Sequence, residues 1–135
     1  MKHVNLEIVI GAIVLIVLAI VWRFRRHSGN IEPGSFSERW LELQKLCSHR
    51  EGWPTAIIGA DKLLDEALKK AHFKGKTMGG RLVAAQRILT DNDRVWFAHK
   101  LRNQLENDEE VKLKKRDVQF ALIGVRSALK DLKAL

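Results

Sequence analysis

From Ile8 to Trp22 the chain is apolar or glycine at every position, IVIGAIVLIVLAIVW, whereas beyond residue 36 apolar residues recur at spacings of three and four between charged ones. The first pattern is that of a helix solvated by lipid, the second that of helices with one buried face. The unbroken run alone gives about 22 Å of helix, short of a ~30 Å hydrocarbon layer. Extended over residues 4–24 it reaches about 31 Å, with Asn5 and Glu7 at one interface and Trp22, Arg23 and Phe24 at the other. Gly11 has no small residue four positions away, so no close helix-pairing motif is seen in the membrane span.

Residues 25–36 read as a basic flank and tether, because HSGNIEPGSF holds two glycines, a proline and two serines without helical period. Helices then follow closely. Ser37 is a suitable N-cap for a helix bearing Trp40, Leu43, Leu46 and Cys47 and ending near Gly52. Pro54 suits the first turn of the next, whose apolar face is Ile57, Ile58, Leu64, Ala67, Leu68 and Ala71. Gly75 is the expected turn residue in HFKGK, and Thr77 the cap of a third helix running through Met78, Leu82, Ala85, Ile88 and Leu89. After the polar loop TDND comes a helix with Val95, Trp96, Ala98, Leu101 and Leu105. Past the connection from Glu106 to Arg116, Val118, Leu122, Val125, Leu129 and Leu132 form an amphipathic stripe. No strand alternation competes, so the expectation is an all-α chain: one transmembrane helix and, over residues 37–135, one bundle of four or five helices.

Charge sharpens the membrane reading. Lysine and arginine number 24 against 16 acids, a formal net charge of +8. Arg23, Arg25 and Arg26 lie directly after the apolar run and outweigh Lys2 and the terminal amine. By the positive-inside rule the C-terminal domain then faces the cytoplasm at the inner membrane. A cleaved signal peptide is the competitor, but Ala19 and Val21 are followed by bulky Trp22 and by those arginines, a poor cleavage site. Cys47 is the only cysteine and fits a small buried apolar residue in a reducing compartment.

Candidate chemistry concentrates in VWFAHKLRNQL. On a helix Trp96, His99 and Asn103 share one side, with Arg102 adjoining. Asp61 lies on or near the apolar stripe of an earlier helix, where an acid needs a partner, so Arg102 is expected to pair with Asp61 or Asp65 as a structural contact.

Arg102-Asn103 on a late helix of a small all-α domain resembles the RNxxxH signature of the HEPN superfamily, which includes ribonucleases and toxin components. The order of ADKLLDEALK, TMGGRL and AHKLRN is also similar to small single-pass membrane proteins of bacteria. The HEPN resemblance implies that an arginine and a histidine jointly serve phosphodiester chemistry. Asn107 stands where that histidine belongs, and asparagine cannot transfer a proton near neutral pH.

Two basic clusters, KKAHFKGK at residues 69–76 and KLKKR at 112–116, fit phosphates, anionic headgroups or plain solvated surface, and Phe73 is a candidate for stacking on a base. His49, His72 and His99 lack paired ligand spacing, and Gly79-Gly80 lacks the lysine and strand of a phosphate loop. No metal, cofactor or small-molecule substrate is therefore expected. The sequence points to a non-catalytic, membrane-anchored interaction module whose partners are the lipid bilayer and another protein or a second copy. The alternative is an RNA-binding or ribonuclease-related HEPN-type protein.

Overall fold

In the computed structural model, residues 5–27, 31–107 and 110–135 are described, residues 24–27 by their backbone only. Helix α1, Leu6–His27, contains the one span among the described residues long and apolar enough to cross a membrane, Leu6–Arg23, none of it buried against the rest of the chain. Val4, the expected start of that helix, lies outside the described residues. At its other end α1 runs past Phe24 to His27, so the first residues assigned to the tether are helical. RFRRH contains no helix breaker, and arginine is a good helix former.

A bundle follows: α2 Pro33–Leu46, a 3-10 turn Arg50–Gly52, α3 Trp53–Lys70, α4 Met78–Ala85, α5 Asn92–Glu106 and α6 Lys115–Asp131. Among the described residues there is no strand. Helix α2 starts four residues before the expected cap Ser37, with Pro33 in its first turn. The reason is tertiary. Phe36, assigned from sequence to the tether, is 1% exposed and lies one helical turn before buried Trp40, so burial of the pair draws the segment into the helix.

Helix α3 is the centre of the bundle and touches α2, α4, α5 and α6. Its Ala56, Ile57, Ala60, Leu63, Leu64, Ala67 and Leu68 are all buried, while Ile58 is only half-buried. The helix ends in a Schellman motif: Phe73 N–H donates to Leu68 O at 3.1 Å and His72 N–H to Lys69 O at 3.0 Å, with His72 at φ 63°. The left-handed turn thus falls on His72 rather than on Gly75. Gly75 is needed for a different reason. A Cβ there would lie 2.6 Å from the Arg81 backbone nitrogen and 2.8 Å from the Gly80 carbonyl carbon.

Thr77 caps α4, its hydroxyl accepting from Gly80 N–H at 3.2 Å. The helix stops at Ala85, short of the expected Leu89. The Asn92 side-chain amide donates to the carbonyls of Gln86 at 2.9 Å and Leu89 at 3.0 Å, satisfying acceptors left without a helical partner after the early stop. Asp91 caps α5 through Arg94 N–H at 3.3 Å. On α6, Val118, Val125 and Leu129, with the C-cap Leu132, are buried as expected, but Leu122 is half-buried, and small Ala121, Gly124 and Ala128 complete the inner face. Cys47 is likewise half-buried, its thiol 3.4 Å from Leu43 O, and burial raises its pKa.

Candidate functional site: three acids on the central helix

The acids Asp61, Asp65 and Glu66 all sit on α3, and each meets an arginine from a different neighbour. Asp61 lies among the stripe residues Ile57, Ala60 and Leu64 and is 0% exposed. Its Oδ2 accepts from Arg102 Nε of α5 at 2.8 Å and stands 3.1 Å from His99 Nδ1. Arg102 Nη1 goes on to Glu106, one turn further along α5, at 2.6 Å. Burial lowers the guanidinium pKa, but the hydrogen bonds to Asp61 and Glu106 outweigh it and the net shift is upward. Asp61 Oδ1 has no hydrogen-bond partner among the described residues.

Asp65, the other acid named from sequence for Arg102, is held elsewhere. One turn after Asp61 on α3, it takes a bidentate fork from Arg81 of α4, at 2.6 Å from Nε and 2.9 Å from Nη2. Arg81 Nη1 also donates to Gly75 O at 2.8 Å, and Lys69 Nζ approaches Asp65 at 3.5 Å. Burial pushes the Asp65 carboxyl up, but the hydrogen bond and charge of Arg81 pull it down further, so its pKa is lowered overall. Glu66 is bonded to Arg39 of α2 by both oxygens, and this more exposed pair lowers the Glu66 pKa.

The sequence reading did not single out Arg81 or Arg39. Counting acids would have pointed to them: three carboxylates within six residues of one well-buried helix require cations from whatever packs against it.

The rest of the polar stripe is divided by depth. His99 is mostly covered and meets Trp96 edge-on at 6.0 Å, while Trp96 itself is 37% exposed. Gly79 faces the Trp96 ring, and Val83, one turn along α4, is 55% exposed. Asn103 is half-buried, and Asn107 is exposed as the C-cap of α5, its N–H bonded to Asn103 O at 3.1 Å. Phe73, a candidate for stacking from sequence, is 8% exposed and belongs to the core. Among the described residues no group of three or more histidine, cysteine or acidic side chains is set to hold a metal.

The polar cluster therefore brings together Asp61, His99, Arg102 and Glu106, sets Trp96 at its rim, and leaves Asn107 at the helix end. Its geometry ties α5 to α3, as the separate Arg81–Asp65 fork ties α4 to α3. No protein-family model matches the chain, and neither a curated protein nor a solved structure does.

Proposed function

We propose that this chain is a membrane-anchored helical module whose bundle faces the cytoplasm at the inner membrane and binds another protein or a second copy of itself without catalysing a reaction. The observation that carries the reading is α1: an 18-residue apolar span, unburied by the bundle, beside a domain that closes its own core. Three arginines at the C-terminal side of the span support the cytoplasmic orientation. The use of Arg102 as a tie to buried Asp61 supports a structural role for the polar stripe. The exposure of Trp96 and of Val83 supports a binding face, since aromatic residues are enriched at protein interfaces.

The HEPN-type alternative gives the same Arg102 to phosphate. Two carboxylates already hold that guanidinium by its Nε and Nη1.

The test is photo-crosslinking in intact cells from position 83 or 96, followed by identification of the adducts. A discrete protein adduct, or the chain's own dimer, is the expected result. Adducts to RNA in place of protein would replace this reading by the alternative.

A further inference from the structure

The two lysine-rich segments, alike in composition, are sent to opposite ends of the bundle. Helices α2 and α3 run antiparallel: Lys70 Nζ lies 5.3 Å from the Phe36 ring, Arg39 meets Glu66, and Leu43 covers Gly59. The last turn of α3 therefore sits beside the first turn of α2. Pro33 follows His27, the end of α1, by six residues, a reach of at most about 20 Å. This is the tethered end of the bundle.

Helix α5 leads away from it. Trp96 lies against Gly79 at the start of α4, near the end of α3, while Arg102 reaches back to Asp61. Helix α6 returns antiparallel to α5, with Phe120 against Phe97 and Asp131 against Thr90. Residues 112–116, at the start of α6, are thus at the far end, and Lys130 and Lys133 come back to the tethered end.

Local structure at that end turns the cations outward. The Schellman turn buries Phe73 and leaves Lys70, Lys74 and Lys76 exposed, with Lys69 beside Asp65. A second Schellman turn closes α6: Ala134 N–H donates to Leu129 O at 2.8 Å, Lys133 is at φ 60° and exposed, and Ala134 is buried. Of the acids nearby, Asp91 is engaged by Arg94, Asp131 by Thr90 and Glu66 by Arg39, while Glu32, Glu38 and Asp93 are exposed and reduce the local charge.

We propose that this end of the bundle, through Lys69, Lys70, Lys74, Lys76, Lys130 and Lys133, docks on the anionic headgroups of the bilayer that holds α1. The proposal rests on the reading of α1 as membrane-spanning. Charge complementarity and the short tether favour lipid, and each lysine at an anionic surface contributes roughly a fivefold gain in docking. A nucleic acid is less well served, because Phe73, the phenyl ring of the lysine segment, is in the core.

The experiment is amide hydrogen exchange on the full chain in nanodiscs of phosphatidylcholine alone and of an equal mixture with phosphatidylglycerol. The expected result is several-fold slower exchange across residues 73–77 in the anionic discs. High salt and the combined change Lys70→Gln, Lys74→Gln, Lys76→Gln should each abolish it, with residues 112–116 unaffected. Equal exchange in both discs, protection of 112–116 instead, or protection only when single-stranded RNA is added to neutral discs would overturn the docking proposal alone. A chain that alkaline carbonate strips from its membrane overturns the anchor reading and the docking with it.

Discussion

Asp61 and Arg102 are unequal partners in one ion pair. Asp61 is wholly buried, whereas the Arg102 side chain is 24% exposed and keeps Glu106. Removing the arginine leaves a wholly buried carboxylate with His99 as its one remaining side-chain contact, a loss of about 3–5 kcal/mol, whereas Asp61→Asn leaves a cation that still reaches Glu106 and water, for about 1–3 kcal/mol. Urea unfolding of the two variants should rank Arg102→Ala as the more damaging. Equal losses would mean that the buried acid is compensated by something other than Arg102. At the other end of the stripe, Asn107 is an exposed cap with no acid–base capacity at neutral pH. The full chain is expected not to cleave structured or single-stranded RNA. Cleavage by the unaltered chain that disappears in Arg102→Lys would contradict this, and activity gained only with Asn107→His would point to lost HEPN-type chemistry.

The elements are held by two devices, close approach and charge. Gly124 of α6 lies where a Cβ would come within 2.5 Å of Arg94 Cβ and 2.6 Å of the Arg94 carbonyl carbon on α5. Backbone cannot yield as a side chain does, so Gly124→Ala should cost about 1–3 kcal/mol despite its better helix propensity. His72→Gly has the opposite sign: it relieves a left-handed conformation that disfavours any residue with a Cβ, for a gain of about 1 kcal/mol. Thermal melting checks both, and the two shifts should be opposed. The charged device is sensitive to acid. Asp65, Glu66 and Asp91 are all held below their ordinary values of 3.8, 4.5 and 3.8. A lowered folded-state pKa means that the pairs stabilise fully above those ordinary values and lose their contribution as pH falls below them. The melting temperature should therefore decline below about pH 4.5, and Asp65→Asn should make that decline shallower. An unchanged acid slope in the variant would remove Asp65–Arg81 from the account.

For the whole molecule the decisive quantity is the charge difference across α1. Arg23, Arg25 and Arg26 at its C-terminal side should retain the bundle in the cytoplasm. A C-terminal fusion to a reporter active only outside the cytoplasm should stay silent, and replacing the three arginines by glutamine should produce mixed orientation. A reporter active in the unaltered chain would reverse the topology. Phe36 sets a practical bound on dissecting the molecule. A soluble fragment begun at Ser37 discards a buried core ring and the first turn of α2, so fragments should begin before Pro33.

What the sequence determined by itself was local in origin. The apolar span of α1, the cap Thr77, a cap within the TDND loop, the proline in the first turn of α3 and the stripe of α6 follow from patterns within a few residues, because helix solvation, capping and amphipathicity are short-range effects. Even the need of Asp61 for a cation was legible, since an acid within an apolar stripe cannot be left alone. Tertiary structure decided the rest. It drew Phe36 into a helix, moved the turn from Gly75 to His72, stopped α4 at Ala85, and gave Asp65 to Arg81 while Arg102 took Asp61. It also separated two lysine clusters of similar composition. Each outcome depends on which helix lies opposite and in which direction it runs, and residues 41 positions apart, such as Asp61 and Arg102, carry no local signal of meeting.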